Sequence, residues 1–143
     1  MSIKITFPGN KKVDAHINGF TIHTDQRISS GGDGTAPEPF EYFLTSIGTC
    51  AGIYIKGFCD SRGLPTDGIE IEQKIEYDQA RRRIGKVVLD IQVPPEFPEK
   101  YREALVHTAN LCAVEKYLQD PFEIETLTSE KVSEELTINN FKS

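Results

Sequence analysis

Long apolar runs are missing from this 143-residue chain, and their absence argues against a membrane-spanning helix. No stretch approaches the roughly 18 consecutive apolar residues that such a helix requires. The first residues alternate as a strand does, where a signal peptide would carry a charged region followed by an apolar one. We therefore expect a cytoplasmic protein that has no membrane partner.

An excess of basic charge is also missing, which argues against nucleic acid as a partner. Lysine and arginine number 16 against 22 aspartates and glutamates, so the formal net charge is −6. No basic face stands out. A glycine-rich stretch at residues 31–34 is not followed by the Gly-Lys-Ser/Thr of a phosphate-binding loop, and no parallel strand precedes it. The sequence therefore favours neither nucleic-acid binding nor a nucleotide site.

Cysteine and histidine are scarce, with three of each. The cysteines Cys50, Cys59 and Cys112 form no Cys-x-x-C motif, and the histidines are scattered, so the usual spacing of metal ligands is missing. Three cysteines in the cytoplasm are not expected to form a permanent disulfide framework. We expect no metal and no other cofactor, and any cysteine chemistry should be catalytic or redox-cycling.

The most informative stretch is a predicted helix over residues 37–62, which should begin near Pro39. Prolines and glutamates at its start are typical of a first helical turn. Apolar residues recur at three- and four-residue steps, which indicates one buried face. Cys50 lies about 80° from the centre of that face, so we expect it at the edge of the core. Gly48 and Gly52 flank it, and two helix-weakening glycines suggest the close approach of another element or a ligand. The apolar residues are Phe40, Phe43, Leu44, Ile47, Ala51, Tyr54, Ile55 and Phe58.

Alternating apolar residues predict antiparallel strands on both sides of this helix. Three short strands are expected near residues 3–7, 13–17 and 20–22, with Asn18-Gly19 as a tight hairpin turn. Strands near residues 69–77 and 87–93 should form a longer hairpin, followed by a second helix over residues 99–119. Further strands are expected near residues 122–126 and 136–141. This order predicts a single α+β domain over residues 1–143, in which two helices cover antiparallel sheet.

Helix geometry separates two of the cysteines. Cys50 and Cys59 are nine residues apart in sequence, hence about 13.5 Å apart along the axis and on opposite faces, which excludes a disulfide between them. A pairing of Cys50 with Cys112 is geometrically open. The residues alone leave two interpretations, a reactive couple or two ordinary core cysteines, because free cysteine is among the most buried residue types. Cys59 is most simply a packing residue.

Two segments resemble the cysteine motifs of the OsmC/Ohr family. Residues 39–44 read Pro-Phe-Glu-Tyr-Phe-Leu, and Cys50 follows nine residues after Glu41. Residues 111–114 read Leu-Cys-Ala-Val, and the order of elements agrees over nearly the whole chain. The resemblance implies an OsmC-like fold, in which antiparallel sheets pack on two central helices. It also implies an intertwined homodimer with two active sites at the subunit interface.

The resemblance further implies a chemistry, because better-known members of the family are thiol-dependent peroxidases that reduce organic hydroperoxides. By this analogy Cys50 attacks the peroxide and becomes a sulfenic acid, and Cys112 condenses with it to form a disulfide. A dithiol reductant, which is a lipoylated protein in the Ohr branch, then closes the cycle.

The chain departs from the Ohr branch before its first cysteine. That branch has a glutamate ten residues before the cysteine, where this chain has Phe40. Glu41 matches the OsmC-like branch instead, so the resemblance makes Glu41 a candidate catalytic residue. On an unbroken helix, Glu41 would point about 180° away from Cys50. The second motif commonly has proline after its cysteine, and Ala113 stands there in this chain.

The activating cation of the family is an arginine in the early hairpin region. Here the first candidate is Lys12, the second is Lys11, and Arg27 in the glycine-rich loop is a third. Lysine offers a point charge without the planar fork of arginine.

Two functions follow as hypotheses. As a peroxidase of organic hydroperoxides, with hydrogen peroxide as a further candidate substrate, the protein would use Cys50 as the nucleophile, with its thiolate favoured by a nearby cation. An apolar pocket for the peroxide is then expected at Phe40, Phe43, Ile47 and Tyr54. The alternative is a non-enzymatic small-ligand-binding or stress-related module on the same fold, in which both cysteines are incidental.

Overall fold

A computed structural model describes residues 1–132 and has the α+β architecture expected from the sequence. In this part of the chain, three strands precede a long helix, which is followed by a two-stranded hairpin and two shorter helices. None of these helices combines the length and apolar character needed to span a bilayer. The strands are β1 (Lys4–Gly9), β2 (Lys12–Ile17), β3 (Phe20–Thr24), β4 (Glu70–Asp78) and β5 (Arg83–Gln92), and the helices are α1 (Pro39–Ser61), α2 (Arg102–Ala109) and α3 (Ala113–Gln119).

The strands β1, β2 and β3 form an antiparallel sheet in that order. Asn18 and Gly19 adopt positive φ angles of 49° and 82°, as a two-residue hairpin turn requires, so the predicted turn is confirmed. Ala15 pairs with Ile5 on one side and with Ile22 on the other. Because side chains alternate between the faces of a strand, this register collects apolar residues on one face of the sheet.

The loop between β3 and α1 folds around the buried carboxylate of Asp25. This carboxylate accepts hydrogen bonds from the backbone N–H of Gln26 at 2.8 Å, and from the hydroxyl and N–H of Thr35 at 2.7 and 3.1 Å. These hydrogen bonds, the Thr35 hydroxyl first, hold the pKa of Asp25 well below its usual range. A Cβ at Gly32 would lie 1.9 Å from the carbonyl oxygen of Gln26, so the loop requires glycine there.

The helix α1 begins at Pro39, as the sequence predicts, and a capping box closes its N-terminus. The Glu38 side chain accepts from the N–H of Glu41, and the Glu41 carboxylate accepts from the N–H of Glu38 at 2.8 Å. Arg27 donates to the same Glu38 carboxylate through Nε and Nη2, at 2.7 and 3.3 Å. These contacts fix the loop to the start of the helix.

The core lies where α1 packs on α2 and on the β4–β5 hairpin. From α1 it receives Ala51, Ile55 and Cys59, which follow one another at four-residue steps. Leu105 and Ala109 of α2 are buried against them. The predicted buried face is therefore confirmed at its centre, and Cys59 is the packing residue that the sequence indicated.

Part of the predicted apolar stripe lies outside this core. Phe40, Phe43 and Tyr54 are exposed in the single chain, so the expectation of burial was wrong for these three positions. Periodicity gives the direction of a helix face, but it does not say whether another element of the same chain covers that face.

The close approach expected beside the glycines of α1 is found at Gly48. A Cβ there would lie 2.6 Å from Oε1 of Gln73 on β4. The Gln73 amide donates to the carbonyl oxygen of Leu44 at 2.8 Å. A Cβ at Gly52 would make only an ordinary contact, 3.7 Å from Cδ1 of Ile71. It is therefore β4 that approaches this side of the helix.

Two predicted elements differ from the structure. The single helix expected over residues 99–119 is divided into a 3₁₀ turn (Glu99–Tyr101), α2 and α3. The division occurs because Cys112 leaves helical geometry, with φ −63° and ψ 147°, and caps α3. The strand expected near residues 122–126 is not formed, and residues 121–132 contain no regular secondary structure. The strand expected near residues 136–141 lies outside the described residues.

Candidate functional site

Cys50 and Cys112 come together where α1 meets the start of α3. Cys50 lies in the middle of α1 and is half-buried, which agrees with its expected position at the edge of the core. Cys112 is the N-cap of α3, and 1% of its surface is exposed. Cys50 is close enough to Cys112 to raise the pKa of the Cys112 thiol, and both thiols are free. The structure thus brings together the two cysteines whose pairing the sequence left open.

The surroundings of Cys112 disfavour its thiolate. Burial raises the pKa of Cys112, and the hydrogen bond and charge of Cys50 raise it further, as does the charge of Glu115. The backbone N–H of Glu115 donates to Sγ of Cys112 at 3.5 Å and acts in the opposite direction. Cys112 is therefore a shielded, protonated thiol, and an external molecule reaches the more exposed Cys50 first.

Cys59 stands apart from this pair. Its exposed surface is 0%, and it packs with Ala51 and Ile55 in the core. Burial raises the pKa of Cys59, so its thiolate is disfavoured as well. A thiol with neither access nor thiolate character is inert toward dissolved reagents.

A cavity of about 390 Å³, here called the outer cavity, lies between α1, α3 and the segment that follows α3. Neither Cys50 nor Cys112 lines it, but two of its lining residues are their neighbours in the chain: Ser46 lies one helical turn before Cys50, and Ala113 follows Cys112 directly. The Ser46 hydroxyl donates to the carbonyl oxygen of Phe43 at 2.6 Å, which leaves its hydrogen unavailable to a ligand. The lining residues are Phe43, Ser46, Ala113, Val114, Tyr117, Leu118, Pro121, Phe122 and Ile124. The wall is therefore almost wholly apolar.

A second cavity of about 280 Å³, the inner cavity, lies between α1, β5 and α3. Ile47, three residues before Cys50, contributes to its wall, and Leu118 lines both cavities. Glu115 brings a half-buried carboxylate to this wall. The full lining is Ile47, Val87, Leu89, Asn110, Glu115 and Leu118.

The four residues expected to form a peroxide pocket do not line one common cavity. Phe43 lines the outer cavity and Ile47 the inner one. Phe40 is exposed and stacks on Phe43, with ring centroids 5.5 Å apart. Tyr54 is also exposed, one helical turn after Cys50.

Glu41 and Lys12, which the resemblance placed at the site, have partners elsewhere in the chain. Glu41 belongs to the capping box of an unbroken α1. The Lys12 ammonium pairs with Asp33 and lies 3.9 Å from the Asp25 carboxylate. The hydrogen bond with Asp33 raises the pKa of Lys12. Within a single chain, these contacts hold the glycine-rich loop.

Sequence reasoning missed Asp25 and the contribution of α3 to the cavities. An aspartate at the end of a strand, before a loop rich in glycine and serine, is a turn signal that could have indicated Asp25. Tyr117 and Leu118 follow the second cysteine motif in a helical pattern, but nothing in the sequence shows that they face Phe43 rather than the core.

The histidines of the early sheet are engaged in hydrogen bonds on its polar face. His23 Nδ1 lies 3.0 Å from the Asp14 carboxylate, and His16 lies between the hydroxyls of Thr6 and Thr21, at 2.8 and 3.3 Å. Among residues 1–132, no three His, Cys, Asp or Glu side chains are grouped so that they could hold a metal ion.

The profile of a family described as OsmC-like protein matches residues 32–127. This span is more than half of the chain and contains Cys50 and Cys112. Among curated protein sequences, none matches the chain significantly.

Several solved structures share this fold. A Psychrobacter arcticus protein, named as a candidate osmotic stress induced and detoxification response protein, has a TM-score of 0.67 and 24% identity, covering 81% of this chain and 86% of its own. A Legionella pneumophila protein named as organic hydroperoxide resistance protein OsmC has a TM-score of 0.56 and 16% identity, covering 82% and 88%. The organic hydroperoxide resistance protein OhrB of Bacillus subtilis has a TM-score of 0.51 and 16% identity, covering 85% and 93%. At these identities the likeness is one of fold.

Proposed function

This chain belongs to the family of OsmC-like proteins, and we propose that it is a thiol-dependent peroxidase that reduces organic hydroperoxides. The observation that carries the proposal is the proximity of half-buried Cys50 to buried Cys112, together with an apolar cavity lined by residues near both in the chain. Proteins of the same fold that are named for organic hydroperoxide resistance support this class of substrate.

In the first step, the Cys50 thiolate attacks the terminal oxygen of the hydroperoxide. An S–O bond forms as the O–O bond breaks, the sulfur gives up two electrons, and the alkoxide leaves and takes a proton to become an alcohol. The product is a Cys50 sulfenic acid. The apolar lining of the outer cavity holds the organic part of the substrate and excludes water.

In the second step, the Cys112 sulfur attacks the sulfenic sulfur. The S–S bond forms as the S–O bond breaks, and the leaving hydroxide takes the Cys112 proton and departs as water. A dithiol then reduces the disulfide by thiol–disulfide exchange, returning both cysteines to thiols as it becomes a disulfide itself. We propose a lipoylated protein as this reductant.

We also propose that the working unit is a homodimer. In the described chain, the apolar face of the β1–β3 sheet is open, with Ile5 and Phe20 51% and 69% exposed. The residues after α3 expose Phe122 and Ile124 in the same way. Apolar surface of this extent is typical of an interface. A second copy would cover it and would complete the two active sites at the subunit boundary.

Titration of free thiols tests the peroxidase. When the reduced protein is denatured, the titration should count three thiols, those of Cys50, Cys112 and the less accessible Cys59. One equivalent of cumene hydroperoxide should remove the signals of Cys50 and Cys112 and leave that of Cys59. Dithiothreitol should restore them, and the alcohol product 2-phenyl-2-propanol serves as the control that leaves all thiols intact. An unchanged thiol count after the hydroperoxide would favour a non-enzymatic binding module instead.

A further inference from the structure

Three consecutive arginines, here called the arginine tip, stand at the end of the β4–β5 hairpin. Arg81 and Arg82 lie in the turn that joins the two strands, Arg83 is the first residue of β5, and all three are exposed. The turn is ordered, because the carboxylate of Asp78 accepts a hydrogen bond from the backbone N–H of Arg81 at 3.0 Å. Asp78 also pairs with Arg83 across the two strands. The hairpin therefore presents three guanidinium groups from one defined turn.

The arginine tip brings positive charge to an acidic protein. From Glu76 to Lys86 the hairpin has four basic and two acidic side chains, a formal charge of +2, while the whole chain carries −6. The rest of the chain therefore carries −8. An acidic partner is repelled by most of such a surface and attracted at the tip, so the charge distribution determines where this partner makes contact.

The backbone of Arg82 gives a separate reason to assign a function to its side chain. Arg82 has a φ angle of 53°, in the left-handed region, where asparagine is favoured among residues that carry a Cβ. Apart from glycine, the other residues of the described chain with positive φ are Asn10 and Asn18, each in a hairpin turn of the early sheet. Arginine is less stable than asparagine in this conformation. An unfavourable residue at an ordered turn indicates that its side chain is used.

The carboxylates of a protein surface are the anions that suit the arginine tip. A guanidinium group binds a carboxylate through two parallel hydrogen bonds. Nucleic acids require a broader basic face, and anionic lipid surfaces are recognised by clusters of about four to eight lysines and arginines. The tip has three adjoining arginines, with Glu76 and Asp78 close by in the same hairpin. An acidic protein therefore fits it better than a nucleic acid or a bilayer does.

The direction of β4 places the arginine tip toward the start of α1. Ile71 approaches Gly52, and Gln73, two residues later on the strand, donates to the carbonyl oxygen of Leu44. The strand thus runs antiparallel to the helix. Its continuation beyond Gln73 leads to the N-terminal end of α1, where the hairpin turns.

The arginine tip is also connected to the surroundings of the thiol pair through β5. Val87 lines the inner cavity together with Ile47, which is three residues before Cys50. Arg83 is four residues before Val87, which is about 13 Å along an extended strand. A dithiol on a long and flexible side chain, such as lipoyl-lysine, spans a distance of this order from a docked protein.

We infer that the arginine tip is the docking site for the dithiol protein that reduces the Cys50–Cys112 disulfide, and that this protein presents an acidic surface to it. The inference rests on the proposed peroxidase function and adds to it the docking site and the charge of the reductant. One thiolate of the dithiol attacks the disulfide, and a mixed disulfide forms as the bond between the cysteines breaks. The second thiol of the dithiol then displaces the remaining cysteine, so the partner leaves oxidised and both cysteines are thiols again.

Two synthetic peptides that carry a reduced lipoyl-lysine test the docking. One peptide has glutamates on both sides of the lipoyl-lysine, and its twin has glutamines at the same positions. The protein is first oxidised with cumene hydroperoxide, and reduction of its disulfide is followed by acid quenching and mass spectrometry. For the wild type at low ionic strength, the glutamate peptide should react about tenfold faster than its twin. This rate advantage should shrink as salt screens the charges.

Arg82→Asn is the decisive variant, because asparagine suits the left-handed backbone while the substitution removes one positive charge. The rate advantage of the glutamate peptide should fall by about threefold in this variant. The triple variant Arg81→Gln/Arg82→Asn/Arg83→Gln should lose the advantage. Free dihydrolipoamide, which is uncharged, should reduce the wild type and both variants at the same rate.

Lys100→Gln is the matched control. It removes one positive charge from an exposed residue beside Tyr101, and Tyr101 packs on Phe58 near the C-terminal end of α1, away from the arginine tip. This variant should keep the rate advantage of the wild type. An equal decrease in Lys100→Gln and Arg82→Asn would show that only the total charge matters, and would overturn the assignment to the tip.

Stability separates docking from a structural role of Arg82. We expect Arg82→Asn to be at least as stable as the wild type in urea, with a loss of rate confined to the glutamate peptide. If the arginine served the fold instead, Arg82→Asn would be less stable and would react more slowly with both peptides and with dihydrolipoamide. That pattern would overturn the inference.

The remaining results separate the docking from the peroxidase. Equal rates of the two peptides with the wild type would overturn the docking and leave the peroxidase intact. If the hydroperoxide produces no disulfide, the peroxidase is overturned, and fluorescence anisotropy of the labelled glutamate peptide with the reduced protein decides the docking alone. Binding that is tighter for the wild type than for the triple variant would support it.

Two further measurements test the choice of partner. Phosphatidylglycerol vesicles or a DNA duplex that bind the wild type more tightly than the glutamate peptide, and lose that binding in the triple variant, would overturn the acidic protein as the partner. Light scattering of the triple variant should give the mass of the wild type. A lower mass would assign the arginine tip to the interface between two copies of the chain and would overturn the docking of a reductant.

Discussion

The side-chain amide of Gln73 donates a hydrogen bond to the main-chain carbonyl oxygen of Leu44, at 2.8 Å. This bond joins β4 to the N-terminal part of α1 and places Oε1 of Gln73 2.6 Å from the position that a Cβ on Gly48 would take. The glycine next to the proposed nucleophile is thus explained by packing between a strand and a helix.

Alanine substitutions at two glycines of α1 measure that packing. Gly57→Ala adds a Cβ that meets nothing within 4 Å, so it should stabilise the protein by up to about 1 kcal/mol through helix propensity. Gly48→Ala has the same propensity gain, but it displaces Gln73 and should be neutral or destabilising. Urea unfolding measures the free energy of unfolding of both variants. In a Gln73→Ala background, Gly48→Ala should become stabilising, and a destabilisation by Gly48→Ala that persists in that background would contradict this account.

The three cysteines should separate by role. Cys50→Ser should abolish hydroperoxide consumption, because the other two thiols, of Cys59 and Cys112, are buried. Cys112→Ser should allow one turnover and accumulate a sulfenic acid, which dimedone labelling followed by mass spectrometry detects. Cys59→Ser should keep the wild-type rate, and an equal loss there would mean that the core thiol takes part in the reaction.

Asp25 should make the stability of the loop dependent on pH. Its pKa is lowered in the folded protein, so its contribution is complete above the unfolded pKa of about 3.9. That contribution is lost as the pH falls toward the folded value. Asp25→Asn should lower Tm at pH 7, and the difference from wild type should shrink below about pH 4. Thermal unfolding between pH 7 and pH 3 measures the difference in Tm between wild type and Asp25→Asn. Asp67→Asn, at an exposed position, is the control. A difference in Tm that is constant with pH would exclude ionised Asp25 as the cause.

The proposed homodimer should depend on the apolar face of the early sheet. Phe20→Lys places a charge on that face, and Thr21→Lys places the same charge on the opposite face. Light scattering of the wild type should give twice the chain mass of 16.0 kDa. Phe20→Lys should shift the protein toward monomer and Thr21→Lys should not. Equal masses for the two variants would place the interface elsewhere.

The sequence was sufficient where a local rule determines the structure. The Asn18-Gly19 turn requires positive φ at two positions, and the start of α1 at Pro39 follows from its capping residues. Cys50 was correctly expected at the edge of the core, because helical periodicity fixes its direction relative to Ala51 and Ile55.

The sequence was insufficient where the outcome depends on tertiary contacts. Residues 110–112 contain neither glycine nor proline, so nothing local predicts that the helix stops before Cys112. Residues 122–126 alternate as a strand does, but a strand forms only where a partner strand pairs with it. The position of Lys12 beside Asp25 and Asp33 likewise depends on how the loop folds back on β2.

Each strand of the described chain pairs with its neighbour in sequence, as β1–β2–β3 and as β4–β5. Such pairings close only short loops, and the entropic cost of closure is correspondingly small. The two sheets can therefore form early and independently during folding, before α1 and the segment after α3 find their partners. In the proposed homodimer, the final phase of refolding would then be the association of two such chains, and because that step is bimolecular, dilution of the protein should lengthen it while leaving the early phase unchanged.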